Sequence, residues 1–137
     1  MNFQSDLFSE MTKICARGRW PSTSILLGSE GFGPLLLFRD LAKLLLCKEQ
    51  AEGFCDQCRD CRRINQWAHP NVLLEFPMYG SKESDNYLQE WREWVADQPF
   101  GNAVDWMQQI QQPTSRPNYS AKSCRGIIDK LGLANFE

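Results

Sequence analysis

Apolar residues recur at helical spacing from the start of the chain, where Phe3, Leu7, Phe8, Met11, Ile14 and Cys15 stand between polar positions. Steps of three and four place them on one face, which predicts an amphipathic helix that Gly18 and then Pro21 bring to an end. Ser24 to Leu27 is a short apolar run that reads as a strand. From about Pro34 to Leu46 the chain is apolar on nearly every side, and its only charges, Arg39, Asp40 and Lys43, cluster together. A helix of that kind has to be buried, and a sheet is the expected cover.

Further along, Arg59 to Trp67 predicts a short helix, stopped at His69-Pro70 because a residue before proline disfavours the helical region. Val72 to Phe76 predicts a second strand, and the polar stretch Met78 to Asn86 an exposed loop. Tyr87 to Ala96 and Asn102 to Gln111 are helix candidates separated by Pro99 and Gly101. Gln111 to Ser120, with Pro113 and Pro117, reads as a flexible connection. Cys124, Ile127, Ile128, Leu131 and Leu133 then mark a last amphipathic helix, with Gly132 near its end.

Between the first strand and the apolar helix lies Gly28-Ser29-Glu30-Gly31-Phe32-Gly33-Pro34-Leu35. A phosphate loop of the form GxxxxGK[ST] also follows a strand and opens a helix, cradling phosphates on backbone N–H groups. Gly28 and Gly33 have its spacing, but Pro34 replaces the Lys and Leu35 the hydroxyl residue, so hydrolysis is not expected. The N–H groups of Gly31, Phe32 and Gly33 keep the capacity to meet a phosphate. The plainer alternative is a tight turn permitted by glycine, with Pro34 at the favoured first helical position.

Cysteine usage adds the sharper signal. Cys47 ends the apolar helix, and Cys55-Asp56-Gln57-Cys58 and Cys58-Arg59-Asp60-Cys61 are two CxxC steps sharing one residue. Three sulfurs are thus brought together and Cys47 completes a set of four, the number that structural Zn²⁺ prefers. A closed four-thiolate site leaves no place for a reacting water, so its role would be structural. Redox chemistry at a CxxC step is the competing reading. His69, the one histidine, is read as a capping or packing residue, with replacement of one cysteine at the metal as the alternative, and Cys15 and Cys124 as small, half-buried apolar residues.

Composition bounds the rest. A chain of 137 residues, 42% hydrophobic and 23% charged, suits one modest globular core. The formal net charge of -2 lacks a strongly basic nucleic-acid footprint. No apolar run approaches the roughly 20 residues of a membrane helix, and Met1 to Trp20 is too polar for a signal peptide, so a cytoplasmic chain is expected. Tyr87, Trp91, Trp94, Phe100 and Trp106 offer faces for base stacking. Glu90 and Glu93 beside the tryptophans favour packing instead.

The order of glycine loop, apolar helix, four cysteines and His-Pro before a strand resembles the amino-terminal domain of bacterial DNA polymerase III clamp-loader subunits, of the AAA+ class. Pro34 and Leu35 select the delta-prime type, because the motor subunits, gamma and tau, keep Lys and Thr there. His69-Pro70-Asn71-Val72, Phe76-Pro77, Tyr87 to Glu93 and Asp105-Trp106 resemble delta-prime sequences of one bacterial branch. The resemblance implies a P-loop NTPase α/β fold, a parallel sheet flanked by helices, incomplete at its carboxyl end. It implies one AAA+ part over residues 1–137, a zinc module over 47–61 and a lineage-specific insertion over about 78–118. Zn²⁺ would be held by Cys47, Cys55, Cys58 and Cys61, while Gly28, Gly31 and Gly33 would form a degenerate loop without nucleotide. The implied function is that of the non-catalytic stator, with gamma, tau and delta subunits, the sliding clamp and primed DNA as partners. An ATP-hydrolysing motor subunit and a free-standing zinc protein that binds nucleic acid are the alternatives.

Overall fold

The computed structural model describes residues 3–31, 33–49 and 53–132. Phe32 and Leu133, used above, lie outside them. Contacts divide the chain into two compact units, Met1–His69 and Pro70–Glu137. Each has its own cluster of buried apolar residues, where chain size suggested a single core.

In the first unit, α1 (Phe3–Ala16) and α2 (Pro34–Leu46) pack together, and α2 also packs on α3 (Arg59–Asn65). Met11 from α1 meets Leu41 and Leu44 from α2, with Phe8, Cys15, Trp20, Leu26, Leu37 and Phe54 closing around them. Of the face predicted for α1, Phe8, Met11 and Cys15 are the packed part, while Leu7 and Ile14 stay exposed. Gly33, at φ 71°, turns the chain into α2, and Pro34 occupies its first turn, where a missing N–H costs nothing. On another side of α2, Phe38 stacks on Trp67 with centroids 6.3 Å apart.

The expected parallel sheet is not found: the described residues contain no strand, only one isolated bridge. Residues 24–27 run without ladder partners, with Leu26 turned into the core while Ile25 and Leu27 stay 79% and 91% exposed. Residues 72–76 are likewise irregular. Local composition made both segments strand-like, but a strand exists only when a neighbour takes its N–H and C=O groups, and no described residue does so here. Part of α2 is consequently uncovered, with Leu45 exposed.

The second unit is organised by aromatic rings. Phe76 stacks on Trp91 at 5.1 Å and meets Trp106 edge-on at 5.5 Å, and Trp106 packs on Trp94 at 5.5 Å. Trp91, Trp94 and Trp106 are buried, so packing, not base stacking, is their role; of the five aromatics considered for stacking, Phe100 is exposed. Trp91 and Trp94 come from α4 (Leu88–Asp97), Trp106 from α5 (Ala103–Gln109), and Phe76 from the irregular segment before them. Asn102 starts α5 with a capping box, its side chain accepting from Val104 and Asp105 N–H while the Asp105 carboxylate accepts from Asn102 N–H.

Two segments expected to be loose are tied. The stretch 78–86 buries Met78 and Ser84 and ends in a 3₁₀ turn, Ser84–Tyr87, that runs one residue past it. Met78 and Asn118 exchange backbone hydrogen bonds of 2.9 and 2.8 Å, which anchors residues 111–120 as well. The last helix, α6 (Ala121–Leu131), turns Ser123 inward and leaves Ile128 and Leu131 exposed. Cys124 is exposed too, contrary to its half-buried reading. No helix among the described residues is long and apolar enough to cross a membrane.

Candidate metal centre

The four clustered cysteines are delivered by two helix ends and the loop between them. Cys47 caps the C-terminus of α2, its N–H bonded to Lys43 C=O at 2.9 Å. Cys58 caps the N-terminus of α3, its sulfur accepting from Cys61 N–H at 3.4 Å, and Cys61 follows in the first turn. Cys55 accepts from the N–H groups of Gln57 and Cys58 at 3.4 and 3.3 Å. Each CxxC step thus folds as a tight turn around its first sulfur. Asp56, at φ 57°, provides the left-handed residue inside the first of them.

All four Sγ atoms lie within 4.8 Å of one another. Cys47 Sγ is 3.7 Å from Cys55 Sγ and 4.0 Å from Cys58 Sγ. A zinc ion bonded to four sulfurs at roughly 2.3 Å would set them about 3.8 Å apart at the corners of a tetrahedron. A disulfide needs about 2.05 Å, so these are separate thiols. The donor set and its spacing fit a tetrahedral ion, which would leave no open coordination position.

The sulfurs differ in their electrostatics. Burial, with neighbouring thiols adding to it, pushes Cys61 up to about 12. Cys58 is lowered, chiefly by the Cys61 N–H aimed at its sulfur. His69 stands apart from the sulfurs: it is buried, with Nε2 3.4 Å from Asp60 Oδ1.

At the glycine loop, Gly31 and Gly33 take left-handed backbone angles, φ 78° and 71°, which glycine reaches without strain. A Cβ on Gly28 would come within 3.4 Å of Pro34 Cβ. The loop leads into the α2 N-terminus, as the motif requires, but the chain before it is unpaired. Sequence reading passed over Lys43 and Asp56, which meet beside the cysteines at 2.8 Å. The available signal was a lysine one turn before Cys47, among the few charges of a helix that is otherwise apolar.

A family model described as DNA polymerase III, delta subunit, matches residues 3–130. The chain is also 24% identical over 110 residues to DNA polymerase III subunit delta' of Haemophilus influenzae (strain ATCC 51907 / DSM 11121 / KW20 / Rd), a match covering 79% of this chain and 34% of that protein. It therefore spans about a third of that relative's length. No solved structure matches it. With a family match over nearly its whole length and a delta-prime relative, the chain belongs to the DNA polymerase III delta-subunit family, delta-prime type.

Proposed function

We propose that this chain is the amino-terminal AAA+ part of a non-catalytic delta-prime subunit, the stator of the clamp loader. The observation that carries the reading is the pairing, in a chain of this family, of a phosphate loop lacking both Lys and hydroxyl with a four-sulfur cluster of tetrahedral spacing. The cluster holds a structural Zn²⁺ on Cys47, Cys55, Cys58 and Cys61. Such an ion fixes the junction of α2 and α3 and supplies no chemistry of its own. Gly28, Gly31 and Gly33 shape a loop that holds no nucleotide, because Pro34 offers no charge to outer phosphates and Leu35 no ligand to Mg²⁺.

On this reading the protein works in the cytoplasm at the replisome. ATP bound by gamma or tau subunits drives opening of the sliding clamp and its placement on primed DNA, while this subunit supplies a fixed surface beside them and delta. Residues 78–118 form an insertion particular to its lineage. Pro34 and Leu35 disfavour the motor-subunit alternative, and the net charge of -2 disfavours a free-standing nucleic-acid binder.

The test is assembly together with turnover. Mixed with gamma and delta subunits of the same organism, the complete protein carrying this chain enters one complex on size exclusion. Alone it shows no Mg²⁺-dependent ATP hydrolysis. Turnover that survives removal of contaminating ATPases, or failure to enter the complex, would overturn the proposal.

A further inference from the structure

A lysine 3% exposed is costly unless its charge is met, and Lys43 is met on three sides. Its Nζ lies 3.0 Å from Asp40 Oδ1, 2.8 Å from Asp56 Oδ1 and 4.0 Å from the centre of the Phe54 ring. Asp40 is on the same helix, whereas Asp56 and Phe54 belong to the cysteine loop. Asp56 Oδ1 also accepts from Asn65 Nδ2 at 3.2 Å, at the far end of α3. One residue inside the Cys55–Cys58 turn is therefore bonded both to the helix before Cys47 and to the helix bearing Cys61.

We propose that Lys43 is a positioning residue for the metal centre, acting through Asp56 to hold the cysteine loop in its ligating form whether or not the ion is bound. This rests on the reading of the cluster as a zinc site. The contacts involve no ligand atom of Lys43 itself, so they persist when the metal leaves. They oppose the left-handed Asp56 backbone relaxing and the Cys55–Cys58 turn opening, the motion by which a closed site releases its ion. Outer-shell partners of this kind change metal affinity about 10–100-fold when removed.

The experiment measures zinc release from this chain to an excess of a chromophoric chelator. Asp56 is 53% exposed in its side chain, so Asp56→Ala leaves no hole in the core. Lys43→Met keeps the buried stem and removes the charge. Each is expected to speed release about tenfold. The double variant should release no faster than the faster single one, because both remove the same link. Release at the wild-type rate from zinc-loaded Asp56→Ala, or independent effects that multiply in the double variant, would overturn the proposal. Should Lys43→Met fail to fold, Asp56→Ala decides alone. A wild-type chain that carries no zinc would overturn the zinc reading and this proposal with it, which separates the two failures.

Discussion

Replacing Cys58 by serine isolates the metal ligand from the fold around it. Cys58 has two roles: its sulfur is one corner of the cluster, 4.0 Å from Cys47 Sγ, and it caps α3 by accepting from Cys61 N–H at 3.4 Å. Serine is among the best N-caps, so Cys58→Ser keeps the start of the helix and removes only the thiolate. Structural zinc sites in small domains bind with ~10–16 kcal/mol. Shared evenly over four sulfurs, one ligand corresponds to ~2.5–4 kcal/mol, or roughly 10²–10³-fold in affinity at 1.4 kcal/mol per tenfold. Competition against a chelator of known affinity reads that loss directly, with helix content followed by circular dichroism. Cys124→Ser is the control, since that thiol is exposed and outside the cluster. A Cys58→Ser chain that competes for zinc as well as wild type would refute the four-sulfur assignment.

Gly101→Ala is expected to destabilise the second unit by about 1–3 kcal/mol, the usual cost of overpacking. A Cβ there would lie 2.5 Å from the ring of Trp94, which is itself packed on Trp106. Urea unfolding monitored by tryptophan fluorescence checks this, and Trp94→Leu should relieve most of the cost; a Gly101→Ala chain as stable as wild type would refute it. Pro34→Lys with Leu35→Thr restores the two missing residues of the phosphate loop, yet no ATP turnover is expected, because a lysine and a hydroxyl alone supply neither an acidic metal ligand nor a neighbour's arginine. A coupled assay that detects enzyme-dependent turnover in this variant would contradict that.

What could be read from the chain followed the range of the interactions involved. The cysteine cluster was legible because CxxC spacing confines two sulfurs to one turn, whatever the rest of the fold does. The helix α1, the packing of its Phe8, Met11 and Cys15, and the start of α2 at Pro34 were legible for the same local reason. That 24–27 and 72–76 are irregular, where strands were expected, was not, since pairing depends on a partner elsewhere and local composition is silent about it. The Met78–Asn118 bridge and the burial of Ser84 depend on distant residues in the same way. The role of Lys43 was passed over because its partner Asp56 lies thirteen residues later.

The central claim is that Cys47, Cys55, Cys58 and Cys61 form one closed zinc site, and X-ray absorption at the zinc edge tests it most directly. Protein prepared in reducing buffer without chelator should contain about one zinc per chain, with four sulfur neighbours at roughly 2.3 Å and no nitrogen or oxygen in the shell. A shell containing nitrogen or oxygen, or a chain with no zinc and a disulfide among these cysteines, would contradict it.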